Sequence, residues 1–136
     1  MDNVILNKVA SIERCIQRVR EEYQAAGEQF EQDYTRQDAA ILNILRACEQ
    51  AIDLANYIVK KKQLGVPQSS RESFELLLGD GIIDAQLELK MKAMIGFRNV
   101  AVHNYSNLDK KIVVAIIDKH LDDFILFTKS ILAAGQ

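Results

Sequence analysis

Residues 87–102 read LELKMKAMIGFRNVAV, and ten of these sixteen residues are apolar. The first six residues alternate between apolar and charged, which is typical of a strand. Leu, Glu, Lys and Met are nevertheless strong helix formers, and Glu88 and Lys92 have the spacing of a pair on one helix face. We therefore predict a helix. Because one face cannot hold ten apolar side chains, this helix must be central in the fold or covered by a second subunit.

The segments on either side also carry apolar residues at helical spacing, so the predicted fold class is all-α. We expect a helical bundle of four long helices and one short one. The apolar stripes of the long helices lie within residues 4–23, 41–59, 87–102 and 112–132, and that of the short helix lies within residues 74–78. The expected N-caps are Thr35 or Asp38 for the second helix, Ser70 for the short helix and Asp109 for the last helix.

The composition is that of one globular domain spanning residues 1–136. Seventeen Lys and Arg against nineteen Asp and Glu give a net charge of −2, which excludes a generally basic nucleic-acid-binding surface. No apolar run approaches the roughly 18–20 residues of a membrane span and no leader pattern opens the chain, so we expect a cytoplasmic protein. Cys15 and Cys48 lack metal-ligand spacing, and we predict that they are packing residues, with no metal site and no cofactor.

The concentrated polar chemistry of the chain lies in residues 96–105, GFRNVAVHNY. Arg98 needs either a carboxylate or a water-filled groove, and we expect a groove. A purely structural interpretation stays open, with the Arg in an ion pair, the His at the last helix carbonyls and the Tyr partly packed. Five helical positions place Arg98 and His103 about 140° apart around the axis. They converge only if the helix end is distorted, if the Arg wraps around, or if two subunits share a cleft.

Several further stretches occur together with this cluster in a characteristic order. They are Asp33-Tyr34-Thr35-x-Gln37-Asp38-Ala39, Asp53-Leu54-Ala55-Asn56, Gly65-Val66-Pro67, Ser70-Arg71-Glu72-x-Phe74 and Met94-x-Gly96-Phe97-Arg98-Asn99-x3-His103-x-Tyr105. Across essentially the whole chain this set resembles the HEPN superfamily, and in particular the HepT-like toxins encoded beside minimal nucleotidyltransferase (MNT) antitoxins. The three motif positions, Arg98, His103 and Tyr105, show no departure from the family pattern.

The resemblance implies a homodimeric, metal-independent endoribonuclease that is the toxin of a type II/VII-like toxin–antitoxin system. Arg98 would bind the phosphoryl oxygens of RNA, and His103 would move a proton at the 2′-hydroxyl or the leaving 5′-oxygen. The product would be a 2′,3′-cyclic phosphate, and DNA would not be cleaved. The nucleotidyltransferase antitoxin would neutralise the toxin by adenylylation, transferring AMP to the hydroxyl of Tyr105.

Three other polar residues near the motif are candidates for RNA contacts. Asn99 can bond the imidazole or a phosphate, although an Asn on a helix is commonly only solvated. Lys110 and Lys111 can add phosphate contacts, although they also fit a solvated first turn of the last helix. His120 lies outside the motif, and we expect it on the surface or in a groove.

Two functions other than a ribonuclease stay open. The chain could be a noncatalytic HEPN binding module that docks a nucleotidyltransferase and regulates it. It could also be a structural dimerisation bundle, for which the polar cluster would be an unusual choice. The intact Arg98 and His103 pair favours the enzyme.

Overall fold

Six α-helices form the part of the chain, residues 2–135, that the computed structural model describes. They are α1 (Asn3–Ala26), α2 (Tyr34–Lys61), α3 (Ser70–Gly79), α4 (Ala85–His103), α5 (Lys110–Lys119) and α6 (Leu121–Ala134). Short 3-10 turns, Gly27–Gln29 and Tyr105–Asn107, follow α1 and α4. No strand occurs within residues 2–135, which confirms the predicted all-α class. No helix in this range is long and apolar enough to cross a membrane.

The two longest helices, α1 and α2, form an antiparallel hairpin. Ion pairs join the start of α1 to the end of α2 and the end of α1 to the start of α2: Asp2 with Lys61 at 2.7 Å, Lys8 with Asp53 at 3.5 Å and Glu22 with Arg36 at 2.7 Å. Helices α3, α4 and α6 pack on α2 and complete one shared hydrophobic core. Phe74 of α3 and Phe127 of α6 are fully buried in it, with ring centroids 5.4 Å apart.

Both cysteines belong to this core. Cys15 on α1 is 6% exposed and Cys48 on α2 is 2% exposed, so the prediction that they are packing residues is confirmed. Burial raises the pKa of both thiols, and that of Cys48 to about 12. Neither side chain is therefore a thiolate at neutral pH.

Helix α4 is a continuous helix, as its composition predicts, despite the strand-like alternation at its start. Glu88 and Lys92 form the expected i,i+4 pair, with 3.7 Å between Nζ and Oε2. The helix is not covered on all sides, because Leu89, Val100 and Val102 remain 66%, 52% and 58% exposed. The chain alone therefore leaves apolar side chains of α4 in contact with solvent, with Leu89 and Val100 on one face and Val102 on the opposite face.

Two predicted N-caps are wrong. Helix α2 begins after Asp33, not at Thr35 or Asp38, because the Asp33 carboxylate accepts the backbone N–H three residues later at 3.1 Å. Helix α3 is capped by Ser69 rather than Ser70, and the Ser69 hydroxyl oxygen accepts the corresponding N–H at 3.2 Å. Both regions offer several adjacent capping residues, and the helix begins at the one whose neighbours can pack.

The prediction of a single last helix is also wrong, so the bundle has six helices rather than four long and one short. Asp109 caps the segment as expected, but the helix breaks at His120, where φ is −124° and ψ is −1°. The break is local, because the His120 N–H still donates to the Ile116 carbonyl at 2.8 Å and the Asp123 N–H donates to the His120 carbonyl at 3.1 Å.

Asp122 and Asp123, adjacent acids in the first turn of α6, provide a test of this break. Asp123 is 4% exposed, lies 3.0 Å from His120 Nδ1 and 3.8 Å from Lys90 Nζ. Asp122 pairs with Arg20 but its side chain is 81% exposed. We expect Asp123→Ala to lower the free energy of unfolding by about 1–3 kcal/mol, because the contacts of a buried carboxylate with His120 and Lys90 are lost.

The matched variant Asp122→Ala should cost less than about 1 kcal/mol, because an exposed ion pair is screened by water. Urea unfolding at pH 7, followed by circular dichroism, measures both variants. Equal losses would mean that the buried carboxylate does not hold the junction between α5 and α6.

Candidate functional site

Arg98 lies on the second-last turn of α4 and is held by a carboxylate. Its Nε is 2.5 Å from Oε1 of Glu49 on α2, and its Nη1 donates to Oδ1 of Asn99 at 3.0 Å. The expectation of a groove instead of a carboxylate is therefore corrected. The side chain is still 31% exposed and lines a small cavity of about 170 Å³, so the guanidinium keeps access to solvent. Glu49, 49 positions earlier in the chain, carried no local sequence signal.

His103 is the last residue of α4, and its side chain is exposed. The helix remains regular up to this point, because the N–H of the next residue, Asn104, still donates to the carbonyl of Val100 at 2.8 Å. Five regular positions keep His103 and Arg98 on different faces. The Arg98 guanidinium is bound to Glu49 and so does not wrap toward the imidazole. A single chain thus does not bring the two catalytic candidates together.

Asn99 does not serve the imidazole in this structure. Its amide oxygen accepts the hydrogen bond from Arg98, and the residue is exposed. Asn99 therefore helps to orient the Arg98 guanidinium. Contact of its amide with a phosphate stays a prediction.

Tyr105 follows α4 in a 3-10 turn and is 43% exposed. Its hydroxyl donates to Oδ1 of Asp38 on α2 at 2.5 Å. Partial burial, together with the hydrogen bond to this carboxylate and its negative charge, raises the pKa of Tyr105 to about 12. The phenol is therefore protonated at neutral pH and its hydroxyl stands at the protein surface. Asp38, which we considered only as a helix cap, holds this hydroxyl instead.

The two lysines that follow the motif have different surroundings. The Lys110 ammonium lies 4.4 Å from the ring centroid of Tyr34 and donates to the carbonyl of Glu31 at 3.3 Å. It thereby ties the start of α5 to the connection between α1 and α2. Lys111 is exposed at the start of α5, and a role of either lysine in binding phosphate stays a prediction.

The arrangement offers phosphate binding and proton transfer. A guanidinium presents fixed donors to phosphoryl oxygens, and an exposed imidazole can take up or release a proton near neutral pH. Within residues 2–135, no group of three or more His, Cys, Asp and Glu side chains is placed to hold a metal ion. His120, expected on the surface or in a groove, lines a groove of about 410 Å³ between α4 and α5.

Comparison with known proteins places the chain in a family. Residues 12–131 match the family described as Ribonuclease HepT-like. The chain is 49% identical over 127 residues to the mRNA nuclease HepT of Shewanella oneidensis, an alignment that covers 93% of this chain and 95% of that protein.

Solved structures give the same result. The tri-AMPylated Shewanella oneidensis HEPN toxin in complex with MNT antitoxin has a TM-score of 0.92 and 47% identity, covering 98% of this chain and 99% of that chain. A toxin–antitoxin structure with AMP-PNP has a TM-score of 0.90 and 46% identity, covering 96% and 99%. With matches of this extent, and with Arg98, His103 and Tyr105 in the expected order, the chain belongs to the HepT-like ribonuclease family of the HEPN superfamily.

Proposed function

We propose that this protein is the toxin of a HEPN–MNT toxin–antitoxin pair and that it cleaves RNA without a metal ion. The observation that carries the proposal is the Arg98 and His103 pair, present in a chain that is 49% identical to an mRNA nuclease. We propose a cytoplasmic location, because the substrate is RNA and the partner uses ATP. We also propose that residues 1–136 form one domain, because the helices share one hydrophobic core.

The chemistry follows from the two side chains. His103 removes the proton of the ribose 2′-hydroxyl or protonates the departing 5′-oxygen, because an imidazole exchanges protons readily near pH 7. The 2′-oxygen attacks phosphorus, the bond to the 5′-oxygen breaks, and the products are a 2′,3′-cyclic phosphate and a 5′-hydroxyl. Arg98 stabilises the negative charge that builds on the phosphoryl oxygens. DNA is not a substrate because it lacks the attacking oxygen.

A homodimer completes the site. Regular helix geometry keeps Arg98 and His103 of one chain about 140° apart, so a shared cleft is the remaining way to combine them. Val100 and Val102, exposed apolar side chains on two faces at the end of α4, are those that an interface at this helix end would bury. A twofold axis near the end of α4 presents the same surface to its copy and brings two motifs to one place.

Replacing either catalytic candidate tests the ribonuclease. We expect His103→Ala to lower the RNA cleavage rate by about 10²–10⁴ and Arg98→Ala by roughly 10²–10³, because a proton-transfer group and a charge stabiliser are lost. Cleavage of single-stranded RNA is measured in EDTA, and circular dichroism checks the fold. His120→Asn, which changes the histidine outside the motif, should keep the wild-type rate.

Two results would contradict the proposal. Wild-type cleavage by folded His103→Ala or Arg98→Ala would exclude the assigned roles. A wild-type protein that binds the antitoxin but cleaves no RNA would instead be the noncatalytic binding module.

Mixing the two inactive variants tests the shared cleft. If one protomer supplies Arg98 and the other His103, a dimer of Arg98→Ala with His103→Ala contains one intact site. Random exchange should then restore about a quarter of wild-type activity, since half of the dimers are mixed and half of their sites are intact. Light scattering should give about twice the 15.4 kDa chain mass. A monomer at micromolar concentration, or a mixture with no activity, would refute the shared site.

Neutralisation occurs at Tyr105. The antitoxin transfers AMP from ATP: the phenol oxygen bonds to the α-phosphorus, pyrophosphate leaves, and the hydroxyl proton passes to the Asp38 carboxylate that already accepts its hydrogen bond. A Shewanella toxin with the same fold is tri-AMPylated. The added phosphodiester charge and purine lie two residues from His103 and compete with RNA for the cationic site.

Coexpression with the antitoxin tests this modification. Mass spectrometry should find adenylyl additions on Tyr105 in the wild-type protein and none in Tyr105→Phe, which lacks the acceptor oxygen. Asp38→Asn should accept AMP more slowly, because an amide does not take up the proton. If Tyr105→Phe cleaves RNA and is still silenced by a catalytically active antitoxin, neutralisation occurs by binding alone.

A further inference from the structure

A small cavity lies between the first turn of α3 and the last turns of α4. Its volume is about 170 Å³, and its lining consists of Ser69, Ser70, Arg71, Ile95, Arg98 and Asn99. Two of these six residues carry a guanidinium, three carry a neutral polar group, and none carries a carboxylate. This lining suits an anion of about the size of a phosphate group.

Arg71 lines this cavity and has no role in the RNA cleavage mechanism proposed above. Among residues 2–135, no carboxylate lies within ion-pair distance of its guanidinium. A Cβ added to Gly96 would lie 3.4 Å from Arg71 Nη2, so the guanidinium rests against the backbone of α4. Gly96 is two residues before Arg98. The exposed Arg71 side chain therefore lies beside the helix that carries Arg98 and has no acidic partner among the described residues.

The other polar groups leave donors available to an anion. Arg98 uses its Nε on Glu49 and one Nη1 hydrogen on Asn99, so three of its five N–H donors remain. The Ser69 hydroxyl accepts the capping N–H of α3 and keeps its own hydrogen to donate. The N-terminus of α3 adds a partial positive charge to the same cavity.

We propose that this cavity binds an RNA phosphodiester adjacent to the one that is cleaved, and that Arg71 is its phosphate-binding residue. The proposal rests on the ribonuclease function proposed above. In a chain with a net charge of −2, RNA must be captured by local clusters of positive charge, and the cavity extends such a cluster from Arg98 onto α3. Contacts of this kind fix the position of the RNA without reading its sequence.

The test measures RNA binding in a protein that cannot cut its ligand. Arg71→Gln is placed in the His103→Ala background, and the Kd for a single-stranded RNA oligonucleotide is titrated against salt concentration. We expect the affinity to fall roughly tenfold, because a charge-assisted contact is lost. The slope of log Kd against log salt should decrease by about 0.7, the value for one phosphate contact on a single strand.

Two variants serve as controls. Lys129→Gln removes one positive charge from the exposed face of α6, away from the cavity, and should leave affinity and slope unchanged. Arg71→Lys keeps the charge but loses the planar fork, so it should retain the salt slope and recover only part of the affinity. In the active protein, Arg71→Gln should raise KM for RNA about as much as it raises Kd. It should leave kcat unchanged, so the cleavage rate recovers at high RNA concentration.

Each outcome decides between explanations. Unchanged affinity and slope in Arg71→Gln would overturn the proposal, and so would an equal loss in Lys129→Gln, which would indicate a general charge effect. If the wild-type protein cleaves no RNA while Arg71→Gln still weakens RNA binding selectively, the ribonuclease function fails and the phosphodiester site stands. Circular dichroism confirms that each variant is folded.

Discussion

The regular hydrogen bonding of α4 up to its last residue is the constraint on which the site depends. Each residue turns the helix by about 100°, so the buried positions Phe97 and Ala101 fix where the polar residues between and after them must lie. Arg98 is directed to α2, whereas His103 stands in solvent at the helix end. Rotating α4 to bring Arg98 to the face of His103, or the reverse, would take the buried side chains of α4 out of the core. The catalytic roles proposed for these two residues would therefore require assembly of a second chain.

The distribution of charge follows from the same packing. Glu49 fixes the Arg98 guanidinium through one edge and leaves its remaining donors available. A fully exposed Arg would be mobile, and a fully buried one would need complete compensation of its charge. The intermediate position would suit the phosphate binding proposed for Arg98, because the guanidinium is already oriented by Glu49. Arg71, which lies against the same helix, extends the positive surface without help from the net charge of the chain.

In the proposed mechanism, the turn after α4 joins catalysis to its control. Tyr105 is tied to α2 by Asp38, so the polypeptide that follows His103 is held against the bundle. The pKa of about 12 keeps the phenol neutral at physiological pH, and a base is then needed for the hydroxyl to act as a nucleophile. In the proposed modification, the neighbouring Asp38 carboxylate is that base. AMP on this hydroxyl would add negative charge at the end of α4, where the proposed RNA phosphates would bind.

The order and spacing of residues were enough to predict the all-α class, the helix through residues 87–102, the burial of both cysteines and the motif itself. These properties depend on which positions of a helix are apolar, and periodicity shows that directly. The true N-caps were missed because several adjacent residues can cap a helix and packing selects among them. The break at His120 was missed because Ile117 and Leu121, both buried, keep helical spacing across it. The partners of Arg98 and Tyr105 came only from the tertiary structure. Glu49 and Asp38 are 49 and 67 positions away, and periodicity identifies the buried face of a helix but not the neighbour it meets.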